Sequence, residues 1–424
     1  MNDDGEHRAP LGIVPYRLPS WRLCGAALAF ALCLLIGDAH AQDAARAQAG
    51  ETKGVVFVGV TVLDGVGGVR ENATIGVRDG KVVLGASDGR RIEVAGGFVT
   101  PGLVDAASRA GYAKGDSEHT RELTPDVDAR DLADPWSDAF LDAARAGCTT
   151  VSLVPGPENV VSGLSRTFRT WTSGRSAKEF DGVPQALWLT MAGEASNGNT
   201  TPRFGPTESI YARRPNTRMG VVWMLRQAFL DAKAKPADSP SALYREAIDG
   251  KRACRVLAHR WQDMSAMLRI ADEIGLKDAV FAGCEEAYLG RDELAKRKTA
   301  VIVGPFASER SGAGADESDT ALGNAAMLRA AGLRVALTAG PLGASHLREQ
   351  AMTAVRWGMT KADALAAVTS VAADLAGLPD RGRIVEGAPA DVVLWSGHPL
   401  LPSSRPLVVV VDGEVVLDET KESK

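Results

Sequence analysis

Imidazole can bind a metal or carry a proton near neutral pH, so the six histidines are the first candidates for chemistry in this chain. His259 ends an apolar run in CRVLAHRW, and His346 follows another in RVALTAGPLGASHLRE. His119 sits in the polar stretch SEHTRE and reads as a solvated surface residue, while His398 in WSGHPL reads as structural. No second imidazole stands at ligand spacing from His259. It is therefore either a residual ligand or polar contact, or a histidine satisfied by one backbone carbonyl. A second candidate is a cation. In VTPGLVDAASRAG, Asp105, Ala107 and Arg109 alternate onto one side of a strand. Arg109 then either enters a pocket, where a buried charge needs an anionic partner, or points outward along a groove. The thiols offer less. Cys24 and Cys33 lie near the N-terminus, and Cys148, Cys254 and Cys284 show no CxxC spacing. An odd number of such residues is neither a disulfide framework nor a zinc-thiolate site, so each reads as a small buried hydrophobe.

The elements that must position these residues are legible as two textures. Short alternating runs with Asp-Gly turns occupy both ends: VVFVGVTVLD and ATIGVRDGKVVLGA early, ADVVLW and PLVVVVDGEVVLDE late. This is hairpin patterning. Between them, apolar strand-like runs (CTTVSLVPG, ALWLTMAG, CRVLAH, DAVFAGC, AVIVGP, RVALTAG) alternate with helical patterns such as DMSAMLRIADEIG. Strand–helix repetition over this length predicts parallel βα units, and a (β/α)8 barrel of about 250 residues fits. An open doubly wound sheet is the alternative, but no GxGxxG follows any strand.

The chain has 424 residues, a net charge of −5 and 5% aromatics. That balance argues against a nucleic-acid partner, which needs a basic surface. Arg17 and Arg22 precede the uncharged run LCGAALAFALCLLIG, and Ala39-His40-Ala41 follows. The run is shorter than the roughly 20 residues of a membrane span. Residues 1–41 therefore read as an export signal, with Gln42 as the new N-terminus and no transmembrane segment in the mature chain. An uncleaved N-terminal anchor is the alternative. The protein is expected to be exported, periplasmic or secreted.

GGFVTPGLVDA, ELTPDVDARDLADPWSDAFLDAARAGCTTVSLVPGPENVVSG, Gly193-Glu194, PNTRMG and EGAPADVVLW stand in this order along the chain. Together they resemble the amidohydrolase superfamily, and within it the secreted imidazolonepropionase-like amidohydrolases. The resemblance implies an α/β fold: a TIM (β/α)8 barrel of the metal-dependent hydrolase type plus a small β-sandwich built from both chain ends. It places a flexible lead-in at 42–53, the composite β-domain at 54–98 and 383–424, and the barrel at 99–382. The implied reaction is hydrolysis of C–N bonds other than peptide bonds, as in cyclic amides, with a divalent metal such as zinc and a strand-eight Asp that moves the proton.

Carried over residue by residue, the resemblance implies ligands where this chain has none. The first-strand His-x-His falls on Ala107 and Arg109. The sixth-strand His falls on Gly283, beside Cys284, and the eighth-strand Asp on Ala339 or Gly340. The fifth-strand His survives as His259. Glu194 matches a carboxylate that some members use at the metal, but the lysine expected beside it is missing. Arg218 in PNTRMG lies on a family motif and reads as a loop anchor. A methyl group cannot ligate and a guanidinium keeps its proton. The expectation is a degenerate, metal-free site with no cofactor, and a binding pocket formed by Arg109, Glu194, His259 and His346. In it Arg109 stands in for the lost metal charge, with Glu194 as its partner. The protein then reads as a pseudoenzyme or ligand-binding barrel taking a small molecule. An active hydrolase with an atypical site is the alternative, and a scaffold with a filled mouth is a third.

Overall fold

The computed structural model describes residues 54–112, 117, 118, 120–196, 199, 213–234, 241–306 and 321–421. The proposed signal, the lead-in and His119 lie outside them.

Strands β1 (Val55–Leu63), β2 (Val69–Arg78), β3 (Lys81–Leu84), β4 (Arg90–Glu93) and β5 (Phe98–Pro101) open the chain. The strands of the middle follow, the first of them one residue later: β6 (Leu103–Ser108), β7 (Cys148–Leu153), β8 (Val161–Leu164), β9 (Arg166–Arg169), β10 (Lys178–Glu179), β11 (Leu187–Thr190), β12 (Cys254–Ala258), β13 (Ala279–Gly283), β14 (Val301–Val303) and β15 (Val335–Leu337). The chain closes with β16 (Val392–Trp395), β17 (Pro406–Val411) and β18 (Glu414–Asp418).

The first and last groups share one sheet in the order β18-β17-β16-β5-β1-β2-β3, with β4 also paired to β1. β5 and β16 join the two ends in antiparallel register, Val99 opposite Leu394 and Thr100 opposite Val393. A core of Phe57, Ile75, Val99, Leu394 and Val408 lies against this sheet. The Asp-Gly turns work as their sequence demands. Asp79 and Gly80 take positive φ, as do Asp412 and Gly413, which suits a tight hairpin between twisted strands.

The middle strands form a TIM-type barrel as two hydrogen-bonded arcs, β10-β9-β7-β6 and β15-β14-β13-β12-β11-β8. Residues Val161–Arg169 belong to both: β8 pairs with β11, and β9 with β7. Both pairings are antiparallel, a departure from the parallel arrangement expected throughout. The physical reason is the connection. A parallel crossover needs a dozen or more residues, and 154–160 supply too few. The first and eighth barrel strands meet through a side chain. Thr338, just after β15, donates from Oγ1 to Asp105 Oδ1 (2.6 Å) and to the Ala107 carbonyl (2.9 Å).

The barrel interior is lined by small residues, among them Ala106, Ala186, Ala282 and Ala336. Helix Ser370–Leu375 closes one end with Ala372 and Ala373, and the buried Arg255 guanidinium donates to the Leu375 carbonyl (2.8 Å). Small side chains above this plug leave space at the other end, where the strands' C-termini lie. In this architecture that face is where loops build sites. No helix among the described residues is long and apolar enough to cross a membrane.

Candidate functional site

A cavity of about 250 Å³ occupies the barrel mouth. Every barrel strand except the bent third ends on it within a few residues: Ala107 and Arg109 at the end of β6, Val154 and Pro155 after β7, Thr190 and Glu194 at and after the end of β11. His259 follows β12, Glu285 follows β13, and Gly304 and Thr338 follow β14 and β15. Ser162 from β8 supplies the third segment. Trp188 also lines it, and its indole N–H has no hydrogen-bond partner among the described residues.

The centre of the site is His259, held between two carboxylates. Its Nδ1 lies 2.6 Å from Glu285 Oε2 and its Nε2 2.8 Å from Glu194 Oε1. A ring that meets a carboxylate at each nitrogen is satisfied by carrying a proton on both. Burial alone would push the imidazole pKa down. The Glu285 charge and the hydrogen bonds to Glu194 and Glu285 outweigh it and raise the pKa to about 10. His259 is therefore an imidazolium, satisfied by carboxylates rather than by a backbone carbonyl.

Backbone geometry after β13 brings Glu285 into place. Gly283 and Cys284 both take left-handed φ, +82° and +65°. The turn is stitched to the neighbouring strand: Cys284 N donates to the Ala258 carbonyl (2.9 Å) and Glu286 N to the His259 carbonyl (3.0 Å). The Asn324 amide caps the Cys284 carbonyl (2.7 Å). Left-handed cysteine is strained by about 1–3 kcal/mol and persists only where its surroundings impose it. Gly283 is required for space as well. A Cβ there would lie 2.8 Å from His259 Nδ1. The imidazole occupies the room that a sixth-strand side chain would need, so a ligand at 283 and this clamp exclude one another.

The structure brings Arg109, Glu194 and His259 to one cavity. It sets His259 against Glu194 as its cation, from a position first read as a residual ligand. His346 lies elsewhere. It is half exposed in a short turn, paired with Glu349 (3.0 Å), and absent from the cavity lining. His398 accepts from Leu400 N and packs on Phe98 at 5.3 Å. Arg218 donates to both oxygens of Asp263 (3.2 Å), joining two helices. Cys148, Cys254 and Cys284 are free and buried, and burial pushes each thiol up. Sequence reading missed Glu285. In GCEEAY it looks like an ordinary acid before a helix; the only signal was its place just after a strand end. Asp105, fully buried, is pushed up to about 6 by burial despite hydrogen bonds from Thr338, Ala107 and Ala339, and it serves the barrel closure.

Among the described residues, the donor set does not fit a divalent metal. A catalytic zinc typically takes three protein ligands. The positions implied for them carry Ala107, Arg109, Gly283 and Ala339, and both nitrogens of His259 are engaged. Among the described residues, no group of three or more His, Cys, Asp or Glu side chains is placed to hold a metal ion.

No family model matches the chain. Amidohydrolase tasK of Hapsidospora irregularis is 24% identical over 382 residues, which cover 78% of this chain and 37% of that protein. The chain thus spans little more than a third of the curated relative it matches. An amidohydrolase structure from Thermotoga maritima MSB8 superposes with a TM-score of 0.75 at 27% identity, over 86% of this chain and 100% of the other. The chain belongs to the amidohydrolase superfamily. Within this amidohydrolase fold the likeness extends to a prolidase crystallised with N-methylphosphonate-L-proline, at 17% identity and a TM-score of 0.52, over 86% of this chain and 100% of that one. At that identity the likeness concerns the fold alone.

Proposed function

We propose that this amidohydrolase-fold protein works without a bound divalent metal, as a barrel that binds a small molecule at its mouth. The observation that carries the proposal is the Glu194–His259–Glu285 clamp. The histidine that the resemblance makes a fifth-strand ligand is here spent on an internal ion pair, and the other positions it implies for ligands carry alanine, arginine and glycine. A fold supplies no reaction without its site. An imidazolium cannot lower the pKa of a bound water as a metal does, so the usual route to hydroxide is missing. Elemental analysis of purified protein tests this. Far less than one zinc, iron or manganese per chain is expected, with no loss of ligand binding on chelation. About one tightly held transition metal per chain would overturn it.

A second reading is metal-independent hydrolysis of a C–N bond. It draws on the names of the relatives and on Glu194, whose carboxylate lines the cavity and can accept a proton from water. The clamp argues against it, because Glu194 is already committed to a hydrogen bond with His259.

The proposal also places the protein outside the cytoplasm. Arg17, Arg22, the uncharged run from Leu23 to Gly37 and Ala39-His40-Ala41 support export. Mass spectrometry of the envelope-associated protein is expected to find Gln42 first. A soluble cytoplasmic pool that keeps Met1 would contradict this.

A further inference from the structure

Among the described residues, the charged side chains that line the mouth lie on facing walls. The barrel strands run in the order β6, β7, β9/β8, β11, β12, β13, β14, β15, and Asp105–Thr338 ties the last to the first. In a ring of eight, the first and fifth members face each other across the axis. Arg109 leaves the end of β6, on one wall. Glu194, His259 and Glu285 leave β11, β12 and β13, centred on the opposite wall. That second wall holds two carboxylates for one imidazole, so it is net negative whichever way the ring is protonated. Between the walls the lining includes Val154, Pro155, Pro305 and Pro341, and Trp188 and Leu257 add apolar surface below the carboxylates on the second wall. The space of about 250 Å³ lies just below the roughly 300–1,000 Å³ of pockets for drug-sized ligands.

We propose that this cavity takes a small zwitterion with an apolar body, its carboxylate directed to Arg109 and its ammonium group to Glu194. The inference rests on the metal-free reading above and gives that reading a ligand class. Each end has capacity for it. A guanidinium carries five N–H donors and grips a carboxylate through two of them, so it can hold a protein partner and a ligand together. A carboxylate has about four acceptor positions, and the described bond from His259 takes one of Glu194's. The side chain of Glu194 is 33% exposed, against 9% for Glu285, so Glu194 is the acid that a ligand can reach. A singly charged ligand would use only one of the two walls and set an apolar group against the other, giving up a charge-assisted contact there. A zwitterion satisfies both, and the apolar lining between them accommodates the carbon skeleton.

The test uses the full mature chain and matched probes in calorimetric titration. Glycine, L-proline and L-leucine are zwitterions of increasing apolar bulk. 4-Methylpentanoate is leucine without its amine, and 3-methylbutylamine is leucine without its carboxylate. L-Leucine or L-proline is expected to bind at least tenfold more tightly than glycine and than either half-molecule. In Arg109→Gln the preference for the zwitterion over the amine should vanish. In Glu194→Gln the preference over the acid should vanish, and circular dichroism of both variants checks that they remain folded. Equal binding of a half-molecule to the wild-type chain, or no binding of any zwitterion at millimolar concentration, overturns the proposal. Elemental analysis of the same sample separates the two levels. A metal-free chain that ignores every zwitterion refutes only the ligand class, whereas a stoichiometric metal refutes the reading beneath it.

Discussion

Two sandwiches of a cation between carboxylates hold different parts of this molecule. In the seam between sheet and barrel, Arg381 pairs with Asp391 and with Asp412, and Arg169 pairs with Asp412 from the other side. Both guanidinium groups also lie over the Phe180 ring, at 4.6 and 4.9 Å. At the mouth, His259 sits between Glu194 and Glu285. The seam uses a cation that never titrates, closes it over with an aromatic ring, and turns no face to the cavity. The mouth uses a cation that can lose its proton and leaves one carboxylate within reach of solvent. The same pairing chemistry is structural where it is sealed, and available to a ligand where it is not.

The largest effect expected from breaking this contrast lies in the seam. Arg381→Met leaves Asp391 buried beside a neutral side chain, and removing one partner of a buried pair costs about 3–5 kcal/mol. Chemical denaturation should show that loss, with ligand binding by the folded fraction intact. A variant as stable as the parent would mean that the seam pairs are incidental. A smaller effect is expected at the mouth from Gly283→Ala. The added Cβ meets His259 Nδ1 at 2.8 Å on a backbone with φ of +82°. A strained left-handed residue costs about 1–3 kcal/mol. Here the loss of stability should come with a lowered His259 pKa, because the ring is pushed off Glu285. Strain without that change in titration would detach Gly283 from the clamp.

The fold was legible in sequence wherever pattern and turn chemistry agree. The alternating runs around Asp79-Gly80 and Asp412-Gly413 form hairpins, and each apolar run of the middle region became a barrel strand. The bent third strand was not legible. Val161–Arg169 carries no helix before it, and its direction follows from the shortness of a loop rather than from its own residues. That Ala107 and Gly283 carry no side chain able to ligate a metal is readable in the sequence itself. The clamp was not, because it depends on two consecutive left-handed residues that carry Glu285 onto His259, and one of them is a cysteine. Local propensity does not foresee that.

The account turns on the protonation of His259, and nitrogen-15 NMR of the imidazole measures it directly. The imidazole pKa is raised from the ordinary 6.5 to about 10. The clamp's contribution to stability is then full below about 6.5 and is lost as pH rises through about 10. Both ring nitrogens should carry protons at neutral pH, titrate together near 10, and keep their signals when zinc or a chelator is added. A ring that titrates near 6.5, or whose Nε2 signal shifts on addition of zinc, would contradict the account and return His259 to the role of a metal ligand.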